Sequence, residues 1–184
     1  MSTPARILES TAARIAMHGA ADVALQDVAE AAGVSKALIA YHFHDKTELL
    51  ARTAEWVGEA VVGREERALD GVGPAHVVDA LWTWLAGELA RGDVRALLVL
   101  AQVPAERVRA AAREVADARR RAATRTVGRL FSELALTPRV PLALVADAAV
   151  ALVDGLALDS ALAPDRNHRV AFDVFWLAML SLAE

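Results

Sequence analysis

Residues 25–43 read LQDVAEAAGVSKALIAYHF, two amphipathic segments divided by Gly33. The glycine falls just past the first segment, where a chain leaving a helix turns with positive φ and a Cβ is penalised. Ser35 then stands where its hydroxyl can accept from an orphan amide in the first turn of the next helix. Val28, Ala32, Val34 and Ile39 are apolar where the two helices must face each other, and Ala29 is small where their backbones come closest. Such spacing predicts a helix-turn-helix rather than an ordinary helical hairpin. Its second helix, over residues 36–43, keeps a short outer face of Lys36, Ala37, Ala40, Tyr41 and His42. A rod of that size fits the major groove of duplex DNA, and Lys36, Ala37 and Tyr41 would lie nearest the base edges.

The longer stretch AGVSKALIAYHFHDKTELL resembles the signature of the tetracycline-repressor (TetR) family, over roughly the first 50 residues. The resemblance implies a DNA-binding domain closed by AGVS, an aromatic-His-Phe group and a following Lys, here Lys46, which would hold a phosphate. Ser35, besides capping, would touch phosphate too. Two positions depart from the pattern. Ala24 stands where a Thr or Ser usually caps the second helix, and Ala40 replaces a Tyr that commonly reaches the DNA backbone. A lost cap costs about 1 kcal/mol, so the fold survives while the contacts to DNA become thinner.

Helical signals continue along the whole chain. Thr3-Pro4 reads as a cap and a proline suited to a first turn, and Ile7, Leu8, Thr11, Ala12, Ile15 and Ala16 recur at helical spacing up to Gly19. Asp45 with Glu48 reads as a capping box opening a long fourth helix towards Leu69. GVGP at residues 71–74 breaks the chain. Further helices are predicted over 76–91, from a cap at Asp93 through Val103, from Pro104 to about Leu134, and over 141–162 and 166–182. The expectation is an all-α fold of about nine helices and no strand. A three-helix DNA-binding domain over 1–46 precedes a helical ligand-binding and dimerisation domain over 47–184.

Charge gives little help to a nucleic-acid reading. The net charge is −4, and residues 1–50 hold only Arg6, Arg14, Lys36 and Lys46 against six acids. Attraction to DNA must therefore be local, through those lysines and helix N-termini, with a modest dependence on salt. The arginine-rich span from Arg107 to Arg129 is either a second nucleic-acid surface or a solvated helix face. With no cysteine in the chain, disulfides, thiolate metal sites and cysteine nucleophiles are excluded. The five histidines show no metal-ligand spacing, no serine has a GxSxG setting, and no glycine run resembles a phosphate cradle. No enzyme, metal or cofactor is expected. The start MSTPARILES lacks the parts of a secretion signal, and Asp147, Asp154 and Asp159 interrupt the longest apolar stretch, so a cytoplasmic protein without a membrane span is expected.

Hydrophobic residues make up 55% of the chain, high enough to call for burial against a second subunit. Residues 142–162 carry two apolar stripes. One, with Leu142, Val145, Ala149, Val153 and Leu156, can face the protein's own body, and which stripe meets a partner is open. Leu152, Leu156, Phe172, Phe175, Trp176 and Met179 are the candidates for a homodimer interface, and the TetR resemblance implies that the last two helices pair this way. It also implies a cavity for a small, mainly apolar effector. Trp56, His76, Trp82, Trp84 and Gln102, with Thr83, Glu88 and Arg95, are large or polar groups among aliphatic ones and are the candidates to line it, although each also fits an ordinary core or surface position. The function so predicted is a dimeric repressor that binds double-stranded operator DNA and is released by that effector. An all-helical ligand carrier or interaction protein with weakened DNA binding is the alternative.

Overall fold

The structure, a computed structural model, describes residues 2–184. These form nine α-helices: α1 Thr3–His18, α2 Leu25–Ala32, α3 Lys36–Phe43, α4 Lys46–Arg67, α5 Val77–Arg91, α6 Asp93–Leu100, α7 Glu106–Glu133, α8 Leu142–Leu162 and α9 His168–Leu180. A single 3-10 turn, Pro74–His76, precedes α5, so the helix expected from residue 76 begins one residue later. Among the described residues the only β-type pairing is an isolated bridge between Pro138 and Ala183. The contacts divide into two units, one running to Ala60 and including Arg91–Ala116, the other Val61–Ala90 with Asp117–Glu184.

The first unit is built on α1, whose inner face of Ile7, Leu8, Thr11, Ala12 and Ile15 is buried. It packs against α2 and α6. The cap of α1 is Ser2 rather than Thr3; its hydroxyl accepts from the Ala5 amide at 3.4 Å, and Pro4 lies in the first turn, where the absence of an N–H costs nothing. Arg95 of α6 donates through Nε to the Ala16 carbonyl at 2.8 Å, near the end of α1. Asp93, expected as a cap, is instead the first helical residue. Gly92 takes the cap position with φ of 75°, where a residue with a Cβ would be strained. Within this unit α4 and α7 approach so closely that a Cβ on Gly58 would stand 2.5 Å from Val115 Cγ1.

In the second unit the buried side chains include Val61, Leu69, Val77, Leu81, Leu85, Val127, Leu130, Phe131, Val145 and Phe172. Glu88 of α5 is wholly buried and is held by Arg64 of α4 through Nε at 2.6 Å and Nη2 at 2.8 Å. The two helices joined at residues 163–167 are tied by Asp159, which accepts from Arg166 at 3.0 Å and lies 3.1 Å from the Nε2 of the buried His168. Outside this core α8 and α9 leave Leu144, Leu158, Leu162, Val170, Val174 and Leu177 exposed, with Leu162 at 84%.

Candidate nucleic-acid interface and apolar cavity

Local chemistry sets the helix-turn-helix as its residues require. Gly33 has φ of 63° and ψ of 40°, the left-handed conformation that ends α2, and its amide donates to Glu30 at 3.0 Å. The Ser35 hydroxyl accepts from the Leu38 amide at 3.1 Å, capping α3. Ile39 and Phe43 are buried, and these two anchors orient the rest of α3 outward. Lys36, Ala37, Ala40 and Tyr41 are exposed; Tyr41 is 77% exposed and packs edge-on against the half-buried His42 at 5.2 Å.

The flanks of this face differ from one another. No side chain caps α2, because Ala24 has none to offer. Between α3 and α4, Asp45 N–H donates to the Phe43 carbonyl across His44, whose φ of 48° and ψ of −58° describe a tight γ-turn. Asp45 caps α4 by accepting from the Glu48 amide at 2.7 Å. The reciprocal half of the expected capping box is not made. The Glu48 carboxylate turns to Arg107 at 3.2 Å and to His44 Nδ1 at 3.0 Å. Lys46 donates to the Ala21 carbonyl at 3.1 Å, beside the loop that precedes α2. Arg14 of α1 is engaged by Asp27 of α2 at 2.5 Å.

In the second unit α4, α5, α7, α8 and α9 enclose a cavity of about 40 Å³. Leu81, Leu85, Val127, Val153 and Phe172 make apolar walls, and Trp84 and Trp176 lie among them. Its polar side is Glu65, Arg119 and Thr126, all of them buried. Burial pushes the Glu65 carboxyl up to about 7 from 4.5, while the Thr126 hydroxyl and the Arg119 guanidinium pull the other way. Arg119 is itself paired with Asp154 of α8 at 2.6 Å. Neither the Trp84 nor the Trp176 Nε1 has a protein acceptor, although both atoms are buried. A buried donor left unpaired costs about 1–3 kcal/mol.

Of the residues expected at a ligand site, only Trp84 lines this cavity. Trp82 is on another side of α5, against Phe172 at 5.4 Å and under the Arg169 guanidinium at 5.6 Å. His76 is exposed in the 3-10 turn. Trp56 is half-buried in the first unit, and Gln102 is exposed there, on an open groove that Lys46 also lines. The polarity of Arg95 and Glu88 serves the bonds to Ala16 and Arg64. Sequence reasoning missed Glu65, Arg119 and Thr126. A signal was present: Glu65 follows Val61 by four residues and precedes Leu69 by four, on the buried stripe of α4.

The residues expected to face a partner fall mostly on the inner side of α8 and α9, with Met179 half-buried. Leu156, Phe172 and Trp176 are buried within the chain itself, and Leu152 and Phe175 line the cavity. Apolar residues left open on the same two helices are instead Leu144, Leu158 and Leu162, with Val170, Val174 and Leu177. Among the described residues no group of three or more His, Asp or Glu could hold a metal ion, and no helix is long and apolar enough to cross a membrane.

An all-helical chain with an exposed α3 on two buried anchors and an N-terminal helix-turn-helix is a helix-turn-helix protein by class. Residues 7–53 match the model of the bacterial regulatory proteins, tetR family, and this match takes in α2, α3 and the start of α4. Over its full length the fold is similar to those of solved structures. A putative TetR-family transcriptional regulator from Rhodococcus sp. is 23% identical, covers 99% of each chain and superposes with a TM-score of 0.76. Another transcriptional regulator from Rhodococcus sp. is 21% identical over 99% of this chain and 98% of its own, with a TM-score of 0.78. NalD, the secondary repressor of the MexAB-OprM multidrug efflux pump in Pseudomonas aeruginosa, is 22% identical over 98% and 96%, with a TM-score of 0.62. No curated protein sequence is significantly similar to this chain.

Proposed function

We propose that the protein is a transcriptional repressor that binds a two-fold symmetric operator as a homodimer and is released by a small, mainly apolar effector. The observation that carries this reading is α3: Ile39 and Phe43 fix it to the first unit while Lys36, Ala37 and Tyr41 stand open to solvent. In this reading residues 1–46 bind DNA and 47–184 serve the ligand and the partner. Lys36, Ala37, Tyr41 and His42 meet base edges, and the uncapped amides of α2, with Ser35 and Lys46, meet phosphates. Lys46 must exchange the Ala21 carbonyl for a phosphate oxygen to do so, which is a change of partner and not of fold.

Pairing through α8 and α9 of two copies gives a four-helix bundle and covers the exposed leucines and valines. A dimer carries two copies of α3, and an operator whose half-sites lie about one turn of duplex apart lets few contacts per subunit suffice. The small cavity supports a switching role. At about 40 Å³ it is far below the volume of a drug-sized ligand site, so an effector must part the lining helices and selects the form in which they are parted. The repressor role described for NalD supports the same direction of control.

A gel shift with the DNA upstream of the protein's own gene tests it. Wild type shifts that DNA, and Tyr41→Ala and Lys46→Ala each weaken the shift while the helical content is unchanged. Wild type that fails to bind, or variants that bind equally well, favour a ligand carrier with vestigial DNA-binding helices. The missing cap at Ala24 and the engaged Lys46 are what recommend that second reading.

A further inference from the structure

We infer that the cavity of the second unit takes an uncharged, mainly apolar ligand bearing a hydrogen-bond acceptor, a ketone or quinone oxygen, presented to the indole N–H groups of Trp84 and Trp176. This rests on the effector reading above and specifies the chemistry of its ligand.

The cavity has surplus donors and no surplus acceptors. Buried side-chain nitrogens or oxygens without a partner number three among the described residues: Arg14 Nε in the first unit, and the Nε1 atoms of Trp84 and Trp176, two residues that line this cavity. Trp176 is 5% exposed, so its N–H is out of reach of bulk water. An acceptor brought in by a ligand meets both needs at once, because a hydrocarbon of the same shape leaves the donors unpaired.

The charges of the cavity are already balanced. Arg119 is committed to Asp154 at 2.6 Å, so an anion finds no free guanidinium and must lie beside Glu65. A cation would need Glu65 ionised, and burial holds this carboxyl towards its neutral form, with a pKa of about 7. The neutral acid adds a donor rather than an acceptor charge. Apolar walls of Leu81, Leu85, Val153 and Phe172 then select for a flat or chain-like hydrocarbon body.

Four naphthalene probes that differ only in their polar group separate the possibilities: acetylnaphthalene, ethylnaphthalene, naphthoate and naphthylethylammonium, each measured by equilibrium dialysis with the full chain just below neutral pH. Acetylnaphthalene binds tightest, by about five- to tenfold over ethylnaphthalene. In Trp176→Phe a smaller aromatic ring remains and the N–H is gone, so the ratio of the two affinities shrinks to about twofold or less, whatever change in packing both probes share. Trp84→Phe is the second variant if Trp176→Phe does not fold. Equal binding of the acetyl and ethyl probes, tighter binding of either charged probe, a preference that survives both variants, or no binding up to the solubility limit overturns the inference. A gel shift on the same preparation separates the two readings. Retained DNA binding with no acceptor preference leaves the repressor and removes the ligand class. Acceptor-selective probe binding without DNA binding does the reverse.

Discussion

Arg64 holds Glu88 with a pair of hydrogen bonds, 2.6 and 2.8 Å long, across α4 and α5, and the Glu88 side chain is wholly buried. Coulombic attraction in such a place offsets desolvation only while both partners remain. Arg64→Leu takes these two bonds away from the buried Glu88 side chain. It should lower the unfolding free energy by on the order of 2–4 kcal/mol, read from urea denaturation, with the double change Arg64→Leu, Glu88→Leu recovering part of the loss.

Glu65 makes stability depend on pH in the unusual direction for a carboxylate. Its pKa is raised from 4.5 to about 7, so between those values the native protein keeps a proton that the unfolded chain has released. Its contribution is therefore fully present below about 4.5 and fades as pH rises through about 7, for a difference of roughly 3 kcal/mol. Glu65→Gln cannot ionise. The melting temperature of the variant relative to wild type should climb from mildly acidic to mildly alkaline buffer, and a flat difference would mean that the site is wetter than its burial indicates. Arg119, Arg125, Glu66 and Thr126 are the neighbours that act on this carboxyl.

His44 occupies a γ-turn with φ of 48°, a conformation that suits glycine better than a residue with a Cβ. His44→Gly removes the strain but also gives up the 3.0 Å contact with Glu48 and adds chain entropy to the unfolded state. The relief should prevail by about 1 kcal/mol in denaturant melts. A destabilised variant would assign His44 a structural role through Glu48.

At Gly58 a methyl group would stand 2.5 Å from Val115 Cγ1 and 2.6 Å from Cγ2. Valine is branched at Cβ and cannot swing away, so α4 and α7 must separate. Gly58→Ala should destabilise by about 1–3 kcal/mol despite the better helix propensity of alanine. The companion change Val115→Ala restores much of the loss if the clash is the cause.

The salt dependence of operator binding should be shallow. In the proposed reading Lys36 and Lys46 are the cations that α3 and the start of α4 offer to DNA, while Arg14 is paired with Asp27 and Arg107 with Glu48. Two phosphates neutralised by each subunit correspond to a slope of about −2 per subunit in log affinity against log salt. A slope several times steeper would transfer the contact surface to the arginines of α7.

The turn chemistry was legible because it is local. Gly33, Ser35 and Asp45 are held by neighbours within five residues along the chain, and the structure realises each where the sequence asks for it. Helix number and order followed from the same period and breakers, with shifts of a few residues where Ser2 and Gly92 took cap positions. Polarity inside an aliphatic helix proved ambiguous, since Glu88 and Arg95 satisfy partners within the fold while Glu65, in the surface-like run GREER, lies on a cavity. The facing of α8 and α9 was decided only in three dimensions. Both helices are apolar on more than one side, so periodicity cannot choose. Phe172 meets Trp82 of α5 with the rings tilted by 54° and faces inward with Trp176, while Val170, Val174 and Leu177 remain outside. Sequence determines what a short segment does with its own hydrogen bonds. Which of two equally apolar faces is buried depends on the shapes brought against it from distant parts of the chain.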